Sequence, residues 1–237
     1  MSKETTPEQR KNNPPQPENK VERRTYTVEM RVAPAGESGD QTRTVTGYAP
    51  RFNTSSEVLG WGEYRFVETF EPGAFRSALP KSDPRALRDH IPNQILGRHS
   101  ANTLKVWEDA TGLGFRFDLP NTTYANDLAV SMERGDVRET SFAFTVRDDA
   151  DIWAKRADGV WERRIPADAV DEIYDISVVT YPAYPDSDAQ LNNNSNFSVA
   201  FRSMDAAKAT IETPEPEETP ENSRRMRFLE ALERTNK

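Results

Sequence analysis

The chain has 237 residues, 39 acidic side chains against 31 basic ones, a formal charge of -8 and an apolar fraction of 35%. That fraction is low for a chain packed along its whole length, so tails around one domain of ordinary size are expected. The negative charge disfavours phosphate-backbone binding, which needs a basic surface, so nucleic acid is not an expected partner. The absence of Cys excludes disulfides, thiolate metal sites, iron-sulfur ligation and a cysteine nucleophile.

The first 22 residues hold Pro7, Pro14, Pro15 and Pro17 among charged and amide side chains and read as a disordered tail. They lack the apolar core of a signal peptide, and no later stretch is apolar for long enough to span a bilayer. A soluble, intracellular protein without membrane contact is expected. From Thr25 the pattern alternates, with Tyr26, Val28, Met30 and Val32 on one side, the period of a half-buried strand. Strands are also expected over Thr42–Phe52 and Glu63–Phe70. Pro72-Gly73-Ala74-Phe75 opens a short helix towards Leu79, stopped by Pro80.

Leu104–Trp107 and Gly114–Leu119 flank a turn at Glu108–Gly112 and predict a β-hairpin. Thr123 is placed to cap a helix in which Tyr124, Leu128 and Met132 share a face and Gly135 supplies the stop. Ser141–Val146 alternates again, with Phe142, Phe144 and Val146 opposite Ser141, Ala143 and Thr145. Ile173–Thr180 is a β-branched strand. After Asn192-Asn193-Asn194 periodicity fades, and residues 201–237 are expected to form a tether and a terminal amphipathic helix. The tether, Glu212–Glu221, has five Glu and three Pro. The helix, Arg224–Arg234, groups Phe228 with Leu232 and is marginal without a partner.

No H-E-x-x-H, EF-hand, G-x-x-x-x-G-K-[ST] or G-x-G-x-x-G pattern occurs, so no metal and no nucleotide cofactor is expected. Acid-base and nucleophile chemistry by side chains remains. The two histidines, His90 and His99, read on residue type first as surface or structural groups. Ser141 reads as a turn residue as readily as a nucleophile, although it stands just after a helix stop at the head of a strand. Asp175 interrupts an apolar strand, where a carboxylate needs a partner. A structural ion pair with an Arg and a place in a site are both open.

A resemblance covers Tyr26 to Asp188. Thr46-Gly47-Tyr48-Ala49-Pro50-Arg51-Phe52-Asn53, Glu71-Pro72-Gly73-Ala74-Phe75, His90-Ile91-Pro92-Asn93-Gln94-Ile95-Leu96-Gly97-Arg98, Ser141-Phe142-Ala143-Phe144 and Val178-Val179-Thr180-Tyr181-Pro182 occur in this order. They resemble the signatures of the prohead (capsid maturation) serine proteases of tailed phages, a family related in fold to the herpesvirus assemblins. The resemblance implies an α+β fold, a small antiparallel β-barrel surrounded by helices, with the protease domain at residues 23–200. It puts the nucleophile at Ser141, the base at His90 and the acidic third member at Asp175. Asp171 and Glu172 compete for the third role, as does His99, since assemblins use a second His.

The sequence departs from the family's more frequent residues at Ile91, Ala143 and Asp175, the last being Glu more often in relatives. The implied activity is endopeptidase cleavage of capsid protein, scaffold and the chain itself inside the assembling prohead, in the host cytoplasm. The implied partners are the major capsid protein and its scaffolding region, with the portal and a second copy of the chain as further candidates. The rival reading is a non-enzymatic assembly or scaffolding protein that retains the fold. An esterase with the same residues lacks the G-x-S-x-G elbow.

Overall fold

A computed structural model of the chain describes residues 21–27, 31–33, 43–180 and 195–212. In chain order the strands are β1 (Glu22–Thr27), β2 (Arg31–Ala33), β3 (Thr44–Arg51), β4 (Phe66–Phe70), β5 (Arg85–Arg88), β6 (Ile95–Arg98), β7 (Leu104–Glu108) and β8 (Gly112–Asp118). Helix α1 (Thr123–Arg134) precedes β9 (Glu139–Val146), β10 (Ile152–Lys155), β11 (Trp161–Ile165) and β12 (Val170–Val179), and helix α2 (Ser195–Glu212) follows. The described chain is mostly β with two helices.

The strands form three sheets, ordered β1-β9-β12-β5-β6, β2-β3-β8-β7 and β10-β11-β4. No sheet closes on itself among the described residues: β1 and β6 stand at opposite edges of the first, so the expected closed barrel is not formed there. Nor is the pairing wholly antiparallel. β5 runs parallel to β12 and β4 parallel to β11, each pair joined by a long crossover, as parallel strands require.

Alternation in Ser141–Val146 becomes the central strand β9, whose edges pair with β1 and β12 and whose two faces are both buried. Phe142 and Phe144 stack at 4.6 Å, and Phe70 and Phe75 meet them to make the aromatic centre of the main core. Each fully buried Phe removes enough apolar surface from water to contribute about 1.5–3 kcal/mol. The expected hairpin is β7 and β8, paired from Leu104↔Phe117 to Glu108↔Leu113.

α1 ends as expected. Gly135 takes φ 81°, and the Gly135 and Asp136 N–H groups return to the Met132 and Ser131 carbonyls at 3.0 and 2.8 Å. At its start the N-cap is Thr122, not Thr123, and no side-chain hydrogen bond caps it.

Two element readings are corrected. Residues 72–81 form successive turns, not a helix, because Gly73 sits at φ 92° and its carbonyl, with that of Ala74, accepts from Asp168 and Val170 N–H. The fading periodicity after Asn194 conceals α2, whose Ala200 and Met204 are fully buried against Phe66, Trp153 and Trp161. The domain boundary at 200 therefore falls inside a helix. At the other end β1 begins at Glu22, the last residue of the segment read as tail. The tether and the terminal helix at Arg224–Arg234 lie outside the described residues.

The charges of β1 explain its burial. Arg24 donates to Glu22 at 2.6 Å and to Glu68 at 2.8 and 3.1 Å. Arg163 donates to Glu22 at 2.7 and 3.0 Å, to Glu68 at 2.8 Å and to Asp151 at 2.7 Å. Ser203 of α2 adds its hydroxyl to Asp151 at 2.6 Å. Charges this deep are tolerable only when paired, and here one cluster ties β1, β4, β11 and α2 together. Burial would push the Glu22 carboxyl up; the Arg163 and Arg24 guanidiniums outweigh it and hold the group below its ordinary value.

Candidate active site

Side chains alternate along strands, and β12 sits between β9 and β5, so its inner-face residues lie between theirs. Ser177 of β12 pairs with Ser141 of β9, and Asp175 pairs with Ala143 on the same face. A register irregularity between Ile173 and Asp175 re-aims the latter. β5 then delivers the third element, since His90 stands in the turn from β5 to β6.

That turn is tightly held. Arg88 N–H bonds Gln94 O at 3.2 Å, Ile91 N–H bonds Arg88 O at 2.9 Å, and Asp89 N–H reaches Val178 O of β12 at 2.9 Å. Asp89 and His90 both take left-handed backbone conformations, φ 50° and 55°, which cost energy for residues with a Cβ and recur where function needs them. At the foot of the β5–β6 pair, Asp83 accepts from Arg98 at 2.8 Å and from the Ser100 N–H at 2.9 Å. The Arg98 bond, seconded by the Ser100 N–H, holds the Asp83 carboxyl well below its usual range.

His90 joins the strands chemically. Its Nε2 lies 2.8 Å from Ser141 Oγ, and its Nδ1 lies 2.7 Å from Asp175 Oδ1. A carboxylate only accepts, so Nδ1 carries the proton towards Asp175 and leaves the Nε2 lone pair for the Ser141 O–H. A serine hydroxyl so placed gains a base for its proton, and the imidazolium that results has an anion beside it. Ser141 is 1% exposed and the His90 side chain 20%, so the ring is the part of the trio that meets solvent.

The structure thus brings His90, Ser141 and Asp175 together, and leaves the competitors elsewhere. Asp171 pairs with Lys81 at the surface. Glu172 acts on the Tyr174 hydroxyl, whose pKa burial raises first and the nearby carboxylate raises further. His99 follows β6, its N–H on Pro84 O at 3.0 Å and its buried Nδ1 without a hydrogen bond. The Arg partner open to Asp175 from sequence is not found among the described residues: Arg85, its neighbour across to β5, binds Asp83 instead. One residue went unnoticed. Ser177 donates to Asp175 Oδ1 at 2.6 Å and lies 3.1 Å from His90 Nδ1, and its spacing of two from Asp175 on one strand was the available signal. Among the described residues no cluster of three or more His, Asp or Glu side chains could hold a metal ion, and no helix is long and apolar enough to cross a membrane.

No curated protein sequence matches the chain. Among solved structures, that of the bacteriophage T4 capsid assembly protease, gp21, is similar with a TM-score of 0.44 at 9% identity, over 69% of this chain and 98% of that chain. The family model described as caudovirus prohead serine protease matches residues 29–202, a span that includes all three residues of the hydrogen-bonded trio. With well over half of its length matched, the chain belongs to the caudovirus prohead serine protease family.

Proposed function

We propose that the chain is a serine endopeptidase that cleaves capsid and scaffold protein, and its own chain, inside the assembling prohead. Ser141 is the nucleophile, His90 the general base and Asp175 the group that orients the imidazole. The observation behind this reading is the unbroken hydrogen-bond chain Ser141–His90–Asp175, with links of 2.8 and 2.7 Å.

In the first step Ser141 Oγ bonds to the scissile carbonyl carbon while its proton passes to His90 Nε2. The imidazolium keeps Nδ1–H on Asp175 and returns the Nε2 proton to the leaving amine as the peptide C–N bond breaks. Water then repeats the sequence on the acyl-enzyme, releasing the new carboxyl end and the Ser141 hydroxyl. The catalytic unit takes in β1 and α2, because the buried ion cluster binds both to the sheets. Enclosure in a shell supplies a high effective concentration of capsid and scaffold substrate, so weak intrinsic recognition suffices.

Intact mass spectrometry of the purified chain over time tests the reading. Discrete truncations that vanish in Ser141→Ala support the protease. An unchanged mass, together with no cleavage of added capsid or scaffold protein, would favour a non-enzymatic assembly protein with a protease fold.

A further inference from the structure

The geometry points to Ser177 as a positioning residue for the His90–Asp175 pair, an inference that rests on the protease reading and deepens it. Ser177 is fully buried, and its hydroxyl faces the junction of the two side chains. Its O–H can serve one acceptor, and the shortest contact is to Asp175 Oδ1 at 2.6 Å. With that proton so directed, an oxygen lone pair remains towards His90 Nδ1, 3.1 Å away. The Nδ1–H therefore meets two oxygens at once, Asp175 Oδ1 at 2.7 Å and Ser177 Oγ.

Two consequences follow. Asp175 could turn its carboxylate about the terminal torsion, which is broad for Asp; the Ser177 bond pins Oδ1, the oxygen that receives Nδ1–H. The ring is likewise held in the tautomer with its proton on Nδ1, the one that leaves Nε2 free to accept from Ser141. Without Ser177 the carboxylate gains freedom and the Nε2–H tautomer, useless as a base, becomes populated. The backbone supports the assignment: Ser177 pairs directly with Ser141 across β9–β12, so the hydroxyl is fixed relative to the nucleophile by a strand ladder, not by a loop.

The test uses the full chain and the variants Ser177→Ala, Ser177→Cys and Ser177→Thr. Cys fills the space of Ser but is a weak donor; Thr keeps the hydroxyl. Since the chain has only two histidines, the ring nitrogens of His90 can be followed by NMR in a Ser141→Ala background that prevents self-cleavage. Ala and Cys should both lower kcat by about ten- to a hundredfold with KM unchanged, and should shift neutral His90 from Nδ1–H towards a mixture of tautomers. Thr should restore the tautomer and most of kcat. Unchanged tautomer and kcat in the Ala variant, or full function in the Cys variant, would overturn the proposal, and these two variants decide it even if the extra methyl of Thr does not fit. An unmodified chain without peptidase activity would instead sink the protease reading, while the tautomer measurement would still judge Ser177.

Discussion

Asp89 and Thr180 are clasped by two hydrogen bonds, Thr180 N–H to Oδ1 at 2.7 Å and the Thr180 hydroxyl to Oδ2 at 3.1 Å. The clasp ties the residue before His90 to the end of β12, the strand that carries Asp175, and so fixes the ring relative to its carboxylate. Asp89→Ala should lower kcat on the order of tenfold by letting the turn drift. Asp89→Asn keeps one acceptor oxygen and should fall between wild type and Ala. Steady-state kinetics of the three proteins test the order, and an Ala variant with wild-type kcat would show that the turn holds itself.

The proposed general base, His90, sits in a left-handed backbone conformation. Glycine adopts φ 55° without the Cβ penalty, whereas alanine retains it. His90→Gly should therefore be more stable than His90→Ala by about 1 kcal/mol, after allowing for the greater freedom of glycine in the unfolded chain. Both should lack peptidase activity. Urea unfolding of the two variants measures the difference, and equal midpoints would mean that the turn relaxes once the imidazole is gone.

If Ser141, His90 and Asp175 act as one unit, their losses do not add. Ser141→Ala and His90→Ala should each reduce kcat on the order of a thousandfold or more while remaining folded, and the double variant should be hardly worse. Asp175→Asn should retain partial activity, because the ring keeps a neighbour but loses its preference for Nδ1–H. Kinetics with circular dichroism as the folding control check this. Additive losses would indicate that the three do not share a mechanism.

The parts of the fold legible in the sequence are those where large apolar side chains alternate with smaller or polar ones over a whole strand. β3, the β7–β8 hairpin and β9 are such cases, and Gly135 marked the end of α1 because only a left-handed residue closes a helix there. β5 and β6 were not legible: Arg85-Ala86-Leu87-Arg88 and Ile95-Leu96-Gly97-Arg98 are four residues each with arginine at a strand end, too short for a period. α2 escaped because, among its described side chains, the fully buried ones are Ala200 and Met204, while the bulk they pack on belongs to Phe66, Trp153 and Trp161. At the site, His90, Ser141 and Asp175 stood out through motif resemblance, not residue type. Ser177 had no motif, and only its spacing of two from Asp175, which puts both on one face of a strand, marked it.

The deepest error of polarity reading is also the most testable. Glu22 closes the segment read as tail and Arg24 stands just after it, yet both are buried with Glu68, Asp151 and the fully buried Arg163. Removing Arg163 takes away one of the two guanidiniums that neutralise Glu22 and Glu68 and leaves an excess of negative charge in a dry interior, so Arg163→Met should destabilise the domain by about 3–5 kcal/mol. Replacing Glu22 as well, in Arg163→Met/Glu22→Met, should cost less than the sum of the two single changes, because the second removes a carboxylate that the first had left in excess beside Arg24. Acid should act on the same cluster. The Glu22 carboxyl is held below its ordinary value near 4.5, so the unfolded chain takes up its proton first as pH falls. The stability it contributes is fully present above that value and is lost as pH drops further, towards the depressed value in the folded state. Arg163 and Arg24, both raised, stay charged throughout. Urea midpoints of the Ser141→Ala protein should thus fall steeply below about pH 4.5, and the fall should be smaller in Arg163→Met/Glu22→Met, which lacks the Glu22 carboxyl. An identical pH slope in both proteins would show that other carboxylates govern acid unfolding.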